Sequence, residues 1–197
     1  MPTLVEPVTL EGRHVRIEPL AYEHAAGVRA AASDGELWRL WYTSVPAPDK
    51  TKEWIDIALD MRERLGAMPF VVCEKATGDV IGATRYFNVD APNRRLEIGH
   101  TWYAKRMQRT AVNTECKLLL LTHAFEALGC IAVEFRTSSF KFQSREAIAR
   151  LGAKQDGILR SHQILPDGTL RDTVVFSIIA PEWPAVKRHL VFRLERC

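Results

Sequence analysis

The chain has 197 residues, 47% of them apolar and 26% charged, and a formal net charge of +3. This is ordinary globular composition, and the length suits one buried core. So small a positive excess argues against a dedicated nucleic-acid binder. No apolar run reaches the ~18–20 residues of a membrane span, so no membrane partner is expected, and the first residues lack the basic-then-apolar pattern of a signal peptide. The four cysteines, Cys73, Cys116, Cys130 and Cys197, form no CxxC pair, and no His/Cys cluster has metal spacing. A reduced, cytoplasmic protein without a metal is expected.

Residues 1–13 read as an extended arm with Pro2, Pro7 and a Glu11-Gly12 turn. Val15, Ile17 and Leu20 alternate with Arg16 and Glu18 as a half-buried strand that ends near Pro19. The alanine-rich stretch 22–32 predicts a helix closed by Ser33-Asp34-Gly35. A short aromatic turn or helix follows over 36–42, with Trp38, Trp41 and Tyr42, then a loop with Pro46 and Pro48. A helix starts at Asp49 or Thr51 and runs to Leu65, with Trp54, Ile55, Ala58, Leu59 and Met61 as its apolar positions. Strands over 69–74 and 80–87 flank the turn Lys75-Ala76-Thr77-Gly78-Asp79 as a hairpin.

Residues 96–129 organise the rest. A strand with Leu96, Ile98, Trp102 and Tyr103 leads into the basic loop Lys105-Arg106-Met107-Gln108-Arg109, then a long helix closed by Gly129. Asn113 or Thr114 can cap that helix, and Glu115 suits its positive end. A strand, a basic turn and a helix N-terminus together make an anion site suited to a phosphate or diphosphate. After the helix come a strand over 130–137, a short helix over 143–151, a hairpin of 158–164 and 170–179 around Pro166-Asp167-Gly168, and a terminal helix over 182–190. The order β, α, α, β, β, β, α, β, α, β, β predicts an α/β chain with a mixed sheet. With no repeat and no linker, 1–197 reads as one domain, its core about 8–179 and a C-terminal tail or helix over 180–197.

Glu97-Ile98-Gly99, Gln108-Arg109-Thr110-Ala111, Asn113-Thr114-Glu115 and the Leu-rich helix resemble motif A of the GNAT acyltransferases, closest to the RimJ/RimL-like branch. The resemblance runs over about 8–179. It implies the GNAT fold, an α/β (α+β) domain with a mixed, mostly antiparallel sheet of about seven strands flanked by helices. Its fourth and fifth strands, here 96–103 and 130–137, splay apart around the cofactor's pantetheine arm. It implies an N-acetyltransferase that carries an acetyl group from acetyl-CoA (coenzyme A) to a primary amine by direct attack in a ternary complex. The acceptor is a protein N-terminus, an amino acid or a small amine, and a homodimer is possible. The family's turn reads Gln/Arg-x-x-Gly-x-Gly/Ala; here its glycine places fall on Ala111 and Asn113.

The resemblance also implies roles. Glu97, on the splayed strand, is the candidate base; the bland alternative is a carboxylate satisfied by Arg94 or Arg95. The turn Gln108, Arg109, Thr110, Ala111, Val112, Asn113 and Thr114 is expected to hold the pyrophosphate. The backbone at Trp102 and Tyr103 pairs with the pantetheine arm, and these side chains themselves suit core packing. The branch's Asn-x-x-Ser falls on Lys141 and Ser144. Ser144 is then a candidate acid for the leaving thiolate or simply a helix-start serine. Lys141 approaches a cofactor phosphate or points into water. Lys105, Arg106, Arg109 and Arg145 are candidate phosphate neighbours or plain surface charges. His100 and His162 are the side chains whose type suits proton transfer at neutral pH. Strand alternation sends His100 to the face opposite Glu97, and His162 borders the acceptor side, where Trp38, Trp41 and Tyr42 would line a pocket. A non-catalytic acyl-CoA-binding or sensing module is the alternative reading. A nucleotide-binding protein is disfavoured, since neither Walker nor GxGxxG spacing is present.

Overall fold

The computed structural model describes residues 4–40, 45–165 and 167–196. In chain order the main elements are β1 (Leu10–Glu11), β2 (Val15–Pro19), α1 (Ala25–Ser33), α2 (Thr51–Leu65), β3 (Met68–Glu74), β4 (Val80–Asp90), β5 (Arg95–Tyr103), α3 (Val112–Thr122), β6 (Ala132–Ser138), α4 (Phe142–Ala149), β7 (Lys154–Ile164), β8 (Leu170–Ile179) and α5 (Trp183–Leu194). The strands form one sheet in the order β1-β2-β3-β4-β5-β6-β8-β7. All neighbours are antiparallel except β5 and β6. The expected mixed, mostly antiparallel architecture is present, with eight strands instead of about seven. The extra one, β1, lies within the expected N-terminal arm and pairs Leu10 with Ile17.

Alternation along the strands divides the core. Phe70, Val72, Tyr86, Leu96 and Ile98 pack with Cys116 and Leu120 of α3 and Trp183 and Leu190 of α5. Val71, Cys73, Ala83 and Trp102 pack on the other face with Val28 and Ala31 of α1 and Ile55 and Ala58 of α2. α2 shows why the sequence folds so locally. Its apolar positions share one stripe, its outer face carries i,i+4 pairs such as Lys52–Asp56, and Gly66, at φ +65, ends it in the left-handed region.

The start of α3 is fixed from an unexpected direction. The Glu115 carboxylate, in the first turn, accepts backbone N–H groups from Arg13, His14 and Val15. It thereby ties the β1–β2 turn to the helix. A Cβ on Gly12 would stand 2.6 Å from Glu115 Oε1, so a larger residue there would have to displace this carboxylate. Further along, the helix loosens into a π-turn at His123–Ala127, just after the Leu120 carbonyl accepts the Tyr86 hydroxyl.

The pairing of β5 with β6 stops early. Arg95 meets Ala132, Leu96 meets Val133 and Glu97 meets Glu134, and the ladder ends there. β5 continues beside β4 as far as Tyr103, and β6 beside β8 as far as Ser138. The sheet therefore opens into a wedge. Lys117 closes its floor from the α3 face. Its Nζ donates to Thr101 Oγ1 at 2.8 Å and lies 5.8 Å from the centre of the Phe135 ring. Thr101 and Phe135 both stand beyond the last β5–β6 pair, so the ammonium spans the parted strands. Thr101 is in turn 2.8 Å from Thr84 Oγ1.

Lys117 is 5% exposed and, among the described residues, has no carboxylate partner; burial pushes its pKa down to about 8. Unfolded, the group titrates near 10.4. Between these values the unfolded chain binds the extra proton, so stability rises with pH across that window. Lys117→Met, close in volume, is expected to raise the melting temperature at pH 7 by a few degrees, and the gain should shrink toward pH 10. Calorimetry at both values checks this. A variant less stable at pH 7 would mean that the Thr101 and Phe135 contacts outweigh the desolvation of the ammonium.

Candidate active site

Glu97 is the last β5 residue paired to β6, so its carboxylate stands at the apex of the wedge. It is 2% exposed. Asn88 Nδ2 donates to its Oε2 at 2.8 Å, and Arg136 Nε lies 3.4 Å from the same oxygen. Its neighbours are these two residues and not the expected Arg94 or Arg95; Arg95 is spent on Glu134. Burial is the largest influence on Glu97 and raises its pKa to about 7, against the opposing pull of Asn88 and Arg136. A carboxylate poised there can take a proton at neutral pH.

His100 shares that face. The register between β4 and β5 shifts between Ala83 and Arg85, and His100 adopts φ +49. The bulge breaks strict alternation. The imidazole packs edge-on to Phe87 at 4.9 Å, and Phe87 also lies against Gly99, close to the Glu97 carboxylate. The expectation that His100 faces away from Glu97 is therefore corrected. Burial and the charges of Arg85, Lys141 and Arg171 push its pKa down to about 4, so the ring is neutral in the physiological range.

At the mouth of the wedge β5 runs into a single 3-10 turn, Lys105–Met107, and then into α3. Gln108 Nε2 donates to the Tyr103 carbonyl and anchors the turn to the strand end. Arg109 takes φ +63, in the left-handed region that favours glycine. The helix begins at Val112 with Ala111 at its N-cap, and no side chain caps it. This corrects the expected Asn113 or Thr114 cap: both lie within the first helical turn. Thr110 Oγ1 donates to the Met107 carbonyl and accepts from Val112 N–H. Among the described residues, the backbone amides of Thr110, Ala111, Asn113 and Thr114 meet no hydrogen-bond acceptor. Orphan donors at the positive end of a helix fit an anion.

The remaining residues divide clearly. Trp102 and Tyr103 pack on opposite faces, Trp102 edge-on to Trp54 at 6.1 Å, so both side chains belong to the core. Arg106 is held by Asp34, and Arg145 donates to the Ser139 carbonyl while its guanidinium covers Phe142. Both are anchored within the chain, whereas Lys105 and Arg109 stand exposed beside the turn. Ser144 is the third residue of α4 and half-buried, with Lys141 at the N-cap. Lys141 does not point freely into water. It is half-buried, and burial together with the charge of Arg171 pushes its pKa down to about 8. His162 Nδ1 lies 3.1 Å from Thr173 Oγ1 on β8. Trp38 sits on a short turn, Leu37–Arg39, and the expected Trp41 and Tyr42 contributions fall outside the described residues.

Five groups around the wedge escaped the sequence reading: Arg85, Asn88, Lys117, Arg136 and Arg171. Two carried a signal. Arg85 interrupts the apolar strand Val80-Ile81-Gly82-Ala83-Thr84, and Lys117 interrupts an otherwise apolar helix stretch. A lone charge inside an apolar run marks either a special environment or a strand or helix edge. Among the described residues no cluster of His, Cys, Asp and Glu could hold a metal, and no helix is long and apolar enough to cross a membrane.

The comparisons with known proteins agree with this geometry. A family model described as an acetyltransferase (GNAT) domain matches residues 14–154. No curated protein sequence matches the chain. Among solved structures, a GCN5-related N-acetyltransferase from Brucella melitensis is similar at 30% identity and a TM-score of 0.86, covering 98% of this chain and 87% of that one. A structure described as a putative acetyltransferase from T. thermophilus is similar at 33% identity and a TM-score of 0.83, covering 96% and 98%. Mycobacterium smegmatis RimJ, solved in complex with CoA-disulfide, shares the fold at 21% identity and a TM-score of 0.75, covering 95% and 93%. The open wedge, the uncapped helix after it and these matches lead to one assignment: the chain belongs to the GNAT acetyltransferase family.

Proposed function

We propose that this protein transfers an acetyl group from acetyl-CoA to a primary amine by direct attack, with Glu97 as the base. The carrying observation is that carboxylate, buried at the point where β5 and β6 part and raised to about 7. The orphan amides of Thr110, Ala111, Asn113 and Thr114 fit the cofactor's pyrophosphate, with Lys105 and Arg109 beside them. The unpaired edges of β5 and β6 fit its pantetheine arm as an added strand would. When bound, the cofactor supplies an activated acyl group.

The residues of the chain handle the protons and the charge. Glu97 accepts the proton that the acceptor nitrogen must lose as its bond to the acyl carbon forms. Asn88 and Arg136 keep the carboxylate in place and favour its ionised form. Ser144, half-buried on the first turn of α4, is the candidate to return a proton to the departing sulfur. His100, neutral and close to Glu97, offers a hydrogen bond to the acceptor and no positive charge.

Two measurements test this reading. Titration calorimetry should show saturable binding of acetyl-CoA, and Ala111→Glu should weaken it at least tenfold, because a carboxylate there repels phosphate. No binding at millimolar acetyl-CoA would sink both the transferase and the sensor readings. Turnover on an amine panel then separates those two, since a sensor binds without turnover.

Glu97→Gln is expected to lower kcat about 10²-fold or more, with acetyl-CoA affinity retained. The wild-type rate should rise with pH through an inflection near 7, as Glu97 loses its proton, and that limb should vanish in the variant. Because folding raises the Glu97 pKa, its contribution to stability is fully present below its unfolded pKa and lost as pH rises toward 7. Glu97→Gln should therefore melt no lower than wild type at pH 8, which separates lost chemistry from lost folding.

A further inference from the structure

The acceptor side of the wedge holds more positive charge than its own carboxylates answer. Arg85 stands on β4 directly opposite Gly99 of β5. It is 2% exposed, its Nη1 rests 2.8 Å from Met61 Sδ of α2, and its Nε has no hydrogen-bond partner. Arg171, at the open end of β8, donates Nη1 to Gln163, and its buried Nε has no partner either. Among the described residues neither guanidinium makes a salt bridge, whereas Arg16, Arg95, Arg106, Arg136 and Arg160 each hold a carboxylate. Register places both on the Glu97 face. Gly99 lies two residues from Glu97 along β5, and Arg171 continues the row Val175, Thr173 that runs opposite Arg136 and Ser138. The field of Arg171 reaches Glu97, His100 and Lys141, and that of Arg85 reaches His100, so these groups surround one space.

The nearby acids are committed. Glu97 has Asn88 and Arg136, Glu134 has Arg95 and Arg136, and Asp172 has Arg160 and the Ser161 amide. A buried guanidinium with no counter-charge is costly, and it is answered when an anion arrives. The anionic end of coenzyme A does not supply that charge, because its phosphates fit the α3 N-terminus at the mouth of the wedge, and its pantetheine arm and thioester are uncharged. The anion that remains is one carried by the acceptor.

We propose that the acceptor is an amino acid with a free carboxylate close to its amine, the carboxylate held by Arg171 and Arg85 while the amine faces Glu97. This rests on the reading of the wedge as the site of acetyl transfer. A site built to bind a charged group discriminates strongly against analogues that lack it. Such a site would favour a free amino acid over a peptide N-terminus, whose first carboxyl carbon is tied into an amide.

The test uses the full chain, acetyl-CoA and matched acceptor sets: the free amino acids, their amides, the corresponding decarboxylated amines, and short peptides. At least one free amino acid should exceed its amide and its decarboxylated amine about 10²-fold in kcat/KM. Arg171→Gln should raise the KM for that acid at least tenfold and cut its kcat/KM far more than that of the amide, with the acetyl-CoA affinity retained. Arg85→Met should act in the same direction, and thermal melting reports whether either variant is misfolded. Should Arg85→Met fail to fold, the acceptor panel on wild type and Arg171→Gln decides alone. Amides, amines or peptide N-termini acetylated as well as the free acids would overturn this inference and leave acetyl transfer standing. Acetyl-CoA binding with no amine acetylated at all would overturn the transfer reading and this inference with it.

Discussion

Everything in this structure that could do chemistry depends on a parallel pairing only three residues long. β5 and β6 meet from Arg95 to Glu97 and then part. Each keeps its other neighbour, so neither strand frays: β4 holds β5, and β8 holds β6. A parallel pair joined through a helix can open in this way because the crossover, α3, leaves from the far end of β5 and need not follow the ladder. The opening leaves strand edges without partners in the interior, and unpaired backbone groups there require a ligand, water or side chains. Lys117, from the helix that makes the crossover, reaches across the opening, but its one bond goes to the Thr101 side-chain hydroxyl and not to the backbone. The remaining edge is the part of the fold that an extended arm would complete.

The same opening sets the electrostatics. Glu97 is the last paired residue, so it is enclosed by the sheet on one side and by the wedge on the other. Burial raises its pKa and the two donors restrain the rise, which leaves the group near 7 and not at either extreme. Around it the cations Arg85, Lys117, Lys141 and Arg171 are all pushed down by burial. A charge surplus of this kind costs stability, and a fold selected for stability alone would replace such groups with apolar residues. Their presence on both faces of the wedge fits the proposed reading of it as a site.

Much of this fold was legible in the sequence because it follows local rules. The β3–β4 hairpin and α2 are readable from turn residues and period, and the strand–turn–helix of 96–129 from its punctuation. Its helix N-terminus was legible in place, but not in detail. Asn113 and Thr114 look like caps, yet the N-cap is Ala111 and the helix already starts at Val112. One bond at this start is local, from Thr110 back to Met107, but the others, which Glu115 accepts from the β1–β2 turn, join residues whose pairing no local pattern records. His100 shows the same limit. Alternation places it opposite Glu97, and a single bulge reverses that. Arg171 lies 74 positions beyond Glu97 in a hairpin with no unusual composition, and only the sheet order β5-β6-β8 brings them together.

That bulge also bears on which group acts as base under the proposed reaction. A histidine beside a carboxylate usually invites a shared role, with the carboxylate raising the basicity of the ring. Here the ring shares its face with Glu97 but is buried among Arg85, Lys141 and Arg171, and burial first, with those charges second, lowers its pKa to about 4. At neutral pH it is already unprotonated, and it holds a captured proton weakly. Glu97, near 7, holds one more strongly, so a proton leaving the acceptor nitrogen favours the carboxylate. The surplus of positive charge thus has two effects that agree. It makes the space around Glu97 attractive to an anion, and it adds to burial in removing the nearby histidine from competition for the proton.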